Sequence, residues 1–184
     1  MTSSHIKSIC VFCGASLGAD PAFKDAAEDL GTRMATQGVR LVFGAGHVGM
    51  MGTLADAVLA GGGEAVGVIP EFLRDKELAH QGLTELHVVD SMHTRKRKMF
   101  DLSNAFFVLP GGLGTLEEAF EMITWRQLGR HEKPIVLINT RDYWQPFADL
   151  VERVIDEDFA HGNPDDYFSI EPTPKAVLNA VLEH

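Results

Sequence analysis

The sequence predicts an α/β fold, a doubly wound parallel sheet with helices on both faces, and three observations predict it. Short runs of apolar residues recur along the whole chain and are near-continuous rather than alternating, as in strands covered on both faces. Stretches with helical spacing separate them, and alternating strand and helix signals mean a parallel sheet. Several of the runs end in turns of glycine and other small residues, where such sheets bind their ligands.

In chain order, the runs are Ile6–Cys13, Val39–Phe43, Ala65–Ile69, Leu86–Val89, Ala105–Leu109 and Ile135–Ile138. Helical patterns fill about 21–37, 50–61, 91–103, 115–128 and 143–159, and a last helix falls near 174–183. The crossovers should be right-handed. The stretch Pro70–Gly82 is polar and without period, and reads as a loop over the top of the sheet. No linker or repeat interrupts the pattern, so residues 1–184 form one domain.

Composition narrows the function. A net charge of −10 and a pI near 5.2 argue against a general binder of nucleic acid or anionic membrane. There is no run of 18 apolar residues and no secretory signal, which leads us to expect a cytoplasmic protein. Cys10 and Cys13 are three apart in an extended run, so they face opposite sides of the strand about 10 Å apart and read as core residues. Neither H-E-x-x-H nor a cysteine–histidine ladder occurs, and no metal or cofactor is expected.

Three turns converge on one sheet edge: Cys13-Gly14-Ala15-Ser16, Gly44-Ala45-Gly46-His47-Val48-Gly49 and Pro110-Gly111-Gly112-Leu113-Gly114-Thr115. The second matches G-x-G-x-x-G but follows the second strand, and Glu71 stands after the next one. No G-x-x-x-x-G-K-[ST] is present. In the third, glycines permit close backbone approach, and Thr115 would open a helix whose free N–H groups suit a phosphate. Thr115-x-x-Glu118 also fits a capping box, which needs no ligand. Glu117 and Glu121 fit surface acids of the same helix. The run Arg95-Lys96-Arg97-Lys98 holds four of the 16 basic residues. Consecutive helical positions fan out by about 100°, so one or two of the four can face the cleft.

Two motifs carry a resemblance. Pro110-Gly111-Gly112-Leu113-Gly114-Thr115-Leu116-Glu117-Glu118 and Met92-His93-Thr94-Arg95-Lys96 resemble the signatures P-G-G-x-G-T-x-x-E and M-H-x-R-K of the LOG ("Lonely Guy") family of phosphoribohydrolases. Gly67-Val68-Ile69-Pro70 and the segment Ile123-Thr124-Trp125-Arg126-Gln127-Leu128-Gly129 are similar to it too, and the likeness runs from Ile9 to about Tyr143. Where the family turn has three glycines, the middle one here is Ala45, which would be strained if it needed a positive φ.

The resemblance implies a Rossmann-like nucleotide-binding domain that hydrolyses the N-glycosidic bond of an adenine-type nucleoside 5′-monophosphate, either a cytokinin nucleotide or AMP. It implies Arg95 and Glu118 as the catalytic pair. The substrate would be bound by Glu77, Met92, Lys96, Gly111, Gly112, Leu113, Gly114, Thr115, Leu116, Glu117 and Thr124, with Ser16, Gly44 and Gly46 from the other two turns. It implies a homodimer as well. Two other readings stay open. A non-catalytic carrier of a phosphorylated nucleotide-like cofactor needs the glycine turn but not the acid, and an oxidoreductase would use Gly44–Gly49.

Overall fold

The computed structural model describes residues 6–74 and 79–182. Among the described residues, seven parallel strands form one sheet: β1 (Ser8–Phe12), β2 (Arg40–Phe43), β3 (Ala65–Pro70), β4 (Glu85–Val89), β5 (Ala105–Val108), β6 (Ile135–Ile138) and β7 (Ser169–Glu171). Their order is β4-β3-β2-β1-β5-β6-β7. The chain winds outward from β1 to one edge, then returns to lay β5 against the free side of β1 and winds out the other way. Residues Ile9 to Phe12 of β1 pair in register with Ala105 to Val108 of β5. That junction is the switch point of the topology.

Alternate residues of each strand face opposite layers. Ile9 and Val11 of β1 and Phe107 of β5 pack with α1 (Pro21–Thr36), α2 (Gly49–Ala60) and α7 (Pro174–Leu182) through Leu30, Leu54 and Val177. Cys10, Phe12 and Phe106 pack on the other face with α4 (Met92–Asp101), α5 (Leu113–Gln127) and α6 (Gln145–Asp156). Right-handed crossovers in the two winding directions place the helices on opposite faces. Cys10 and Cys13 fall in different core layers, as their spacing requires. The central strands are completely buried, and each fully buried Phe or Leu contributes about 2 kcal/mol.

Four expectations need correction. The run Leu86–Val89 is not covered on both faces: β4 is an edge strand with Leu86 and Val88 exposed. The segment 70–82 holds a four-residue helix, α3 (Glu71–Arg74), and Ala79 forms an isolated bridge with Gly46. The strand β7 was not expected, because Ser-Ile-Glu gives no apolar run. The helix opening at Thr115 opens at Leu113 instead.

Candidate active site

The site lies at the carboxyl ends of β1, β2 and β5. There a cavity of about 220 Å³ is walled by Cys13 and Ala15 after β1, Gly44 after β2, Arg95 on α4, and Thr115 and Glu118 on α5. They come from turns, from first helical turns and, for Glu118, from the second turn of α5, which the doubly wound order brings to one crevice.

The N-terminus of α5 forms the floor. Its N-cap is Gly112, extended at φ −93 and ψ −159, and no side chain caps it. Among the described residues, Gly112 and Gly114 have no neighbour within 4 Å of where a Cβ would stand, so an anion can approach the first-turn N–H groups and the positive end of the helix dipole. Gly111 is glycine for another reason: a Cβ there would lie 2.1 Å from Thr115 Oγ1. Thr115 is therefore a buried third residue of the helix rather than its cap, and the capping-box reading of Glu118 fails. Glu118 sits five residues into α5, about 7.5 Å along its axis from Leu113. Four residues after Gly114, it shares that residue's helix face.

Arg95 is 4% exposed. Its Nε donates to Val68 O at 3.0 Å and its Nη2 to Gly44 O at 2.7 Å, which ties the guanidinium to β3 and to the turn after β2. Nη1 also lies 3.7 Å from Met92 Sδ. Glycine at 44 is what makes this possible, since a Cβ there would stand 2.3 Å from Arg95 Nη2. Burial, Glu118 and Cys13 push the Cys10 thiol well up, while Arg95 and Lys133 pull it down. Burial and Glu118 likewise push up the Cys13 thiol, which stays neutral in the cavity wall.

Lys96 and Arg97 of the same run are paired with carboxylates. Lys96 Nζ lies 2.5 Å from Glu117 Oε1 and 2.9 Å from Glu121 Oε2. Burial works against its charge, but the two carboxylates outweigh that and hold the ammonium pKa above the ordinary lysine value. Arg97 pairs with Asp101 in the exposed i,i+4 geometry.

The structure brings together Met92, Arg95, Gly44, Gly112, Gly114, Thr115, Glu117 and Glu118 as cavity walls. Ser16 and Gly111 line a second cavity on the opposite side of the turn. Leu113 is exposed beside the opening, and Leu116 packs into the core under α5. Gly46 is buried against Met51. Thr124 is exposed far along α5, and Glu77 lies outside the described residues. Leu73, Met51 and Met99 also line the cavity, and sequence reasoning did not single them out. Leu73 stands in the segment read as a loop, and the two methionines looked like ordinary core.

The Gly44–Gly49 turn is occupied by the protein itself. Met50 and Met51 donate their N–H groups to Gly14 O at 3.1 and 3.3 Å. A Cβ on Gly49 would stand 2.3 Å from Ala15. The N–H groups a pyrophosphate would need at α2 already hold the first turn, so the G-x-G-x-x-G match is a packing device. Within it Ala45 has φ 64, a left-handed conformation that costs a non-glycine residue about 1 kcal/mol.

Residues 51–181 match a family model described as "Possible lysine decarboxylase". The chain is 51% identical over 154 residues to a cytokinin riboside 5′-monophosphate phosphoribohydrolase of Rhodococcoides fascians, covering 83% of this chain and 78% of that protein. It is 39% identical over 184 residues to one from Arabidopsis thaliana, covering 100% of this chain and 86% of that protein. Among solved structures, a molybdenum cofactor binding protein from Rippkaea orientalis matches with a TM-score of 0.71 over 97% of both chains. At 20% identity, that is a likeness of fold.

Proposed function

The chain belongs to the LOG family of cytokinin riboside 5′-monophosphate phosphoribohydrolases, and from that premise we propose that it hydrolyses the N-glycosidic bond of adenine-type nucleoside 5′-monophosphates. The products are the free base and ribose 5-phosphate. The observation that carries the reading is the pairing of an uncapped helix N-terminus with a carboxylate about 7.5 Å further along the same helix. That span suits a ribose 5-phosphate, with its phosphate on the N–H groups and C1′ at Glu118.

In this reading the C1′–N9 bond breaks with its electron pair leaving on the base, and positive charge develops on the ribose ring. The Glu118 carboxylate stabilises that charge and takes a proton from the water that attacks C1′. The base takes up a proton from solvent as it leaves, and Glu118 returns to solvent the proton it took, so that one water is added across the bond. Arg95 is permanently charged and cannot serve as a proton donor. Fixed by Val68 O and Gly44 O, it supplies a preorganised positive charge in the cavity wall that Glu118 shares. The family description as a lysine decarboxylase finds no support in the cavity. Among the described residues no lysine lines it, and Lys96 is held by two glutamates.

Incubation with AMP and with isopentenyladenosine 5′-monophosphate, followed by chromatography, tests the reaction. Base and ribose 5-phosphate should form without a nucleoside intermediate. Nucleotide bound with neither base released would make the protein a carrier.

A homodimer is the second proposal. Leu113 and Phe120 of α5 and Leu128 at its C-cap lie along one exposed stripe with Thr124, where Glu117 is paired with Lys96, and three large apolar residues are an unusual content for a solvated face. Met99 and Met122, by contrast, are core. Light scattering should give twice the 20.1 kDa chain mass, and a monomer would refute the assignment.

A further inference from the structure

Across the β1–β5 edge from the reaction cavity lies a second one of about 230 Å³, walled by Leu17, Phe23, Met50 and Tyr143. Gly112 belongs to both cavities. The turn that presents Tyr143 has an uncommon backbone. Arg141 and Asp142 are consecutive non-glycine residues in the left-handed region, at φ 59 and 56. Such residues persist where their surroundings over-determine them, and they cluster at functional sites.

Here the surroundings hold the turn from several sides. Asn139 Oδ1 accepts the Trp144 N–H at 2.7 Å, closing the turn on itself. Arg141 Nε pairs with Asp20 Oδ2 at 3.0 Å, fastening it to the loop after β1. The Tyr143 ring meets Phe23 edge to face at 5.7 Å and Trp144 at 5.0 Å. All this delivers one polar contact: the Tyr143 hydroxyl donates to Gly111 O at 2.5 Å.

Peptide planarity converts that contact into an aim. The Gly111–Gly112 peptide is trans, so the Gly112 N–H points opposite to the Gly111 carbonyl. With the carbonyl held toward Tyr143 in the second cavity, the N–H is turned toward the first. We propose that Tyr143 is a positioning residue whose hydroxyl fixes this peptide plane, so that the Gly112 N–H meets the 5′-phosphate. The inference rests on the reading that the phosphate docks at the N-terminus of α5.

Tyr143→Phe keeps the ring and its packing on Phe23 and Trp144 while removing the hydrogen bond. The KM for AMP and the Kd for ribose 5-phosphate should each rise about fivefold, the worth of one neutral hydrogen bond, with kcat within about twofold. Competitive inhibition by inorganic phosphate should weaken by the same factor and inhibition by adenine should not change. Unchanged phosphate inhibition, or a fall in kcat with KM unaltered, would overturn the assignment. Calorimetric binding of ribose 5-phosphate needs no turnover, so it decides this point even if the protein hydrolyses no nucleotide. In the wild-type protein, ribose 5-phosphate should move the Gly112 amide resonance; an unmoved amide at saturation contradicts the proposal without any variant.

Discussion

Arg95 donates two hydrogen bonds to backbone carbonyls, so its position is set by the backbone of β3 and of the turn after β2 rather than by another flexible side chain. This makes Gly44 part of the arrangement. In Gly44→Ala the new methyl would stand 2.3 Å from Nη2, and the guanidinium must swing away. Since about 1 Å of misplacement can cost a hundredfold, kcat/KM should fall by between about ten- and a hundredfold, as initial rates would measure. Activity within twofold of wild type would show that Arg95 needs no such anchor. The basic run from 95 to 98 was legible in the sequence as a place where one or two side chains could face the cleft. Spacing alone did not say which one does so, because helical fanning is known before the helix's rotation is; the resemblance in Met92–Lys96 named Arg95. Only packing shows that Arg95 turns inward, Lys96 meets Glu117 and Glu121, and Arg97 meets Asp101.

At the scale of elements, α5 joins binding to chemistry. Its start shows where sequence spacing misleads. Thr-x-x-Glu is a good capping signature, yet Gly112 takes the N-cap because its open backbone suits the turn, and Thr115 is drawn into the interior. Leu113 is then the first helical residue, where proline is well tolerated, and the extended Gly112 before it suits a proline too. Leu113→Pro should leave thermal stability within about 1 kcal/mol yet remove one N–H from the phosphate site, weakening AMP binding roughly five- to tenfold by calorimetry. Unaltered affinity in a folded variant would place the phosphate elsewhere. The strands β1, β2, β3, β5 and β6 were legible because buried strands write continuous apolar runs, and β4 was legible from Leu86–Val89 although it lies exposed at the edge. The short elements α3 and β7 were not, because three or four residues at an edge leave no such signal.

At the scale of the whole molecule, the order β4-β3-β2-β1-β5-β6-β7 matters most at a single junction. Where β5 returns beside β1, the Gly14 and Gly111 turns pack on each other and a crevice opens at the carboxyl ends of the strands. The alternation of strands and helices foretold such a crevice. It could not foretell that one glycine turn would be spent on internal packing while another stays open to a ligand. The resulting claim is a division of labour along one helix, with its first turn binding the phosphate and Glu118 acting at the sugar. Nucleotide affinity and base release measured together on Glu118→Gln test that claim most directly. We predict that base release falls at least about a hundredfold while the Kd for AMP stays within about threefold. Base release at the wild-type rate would contradict it, leaving Glu118 a residue of the wall and not of the reaction.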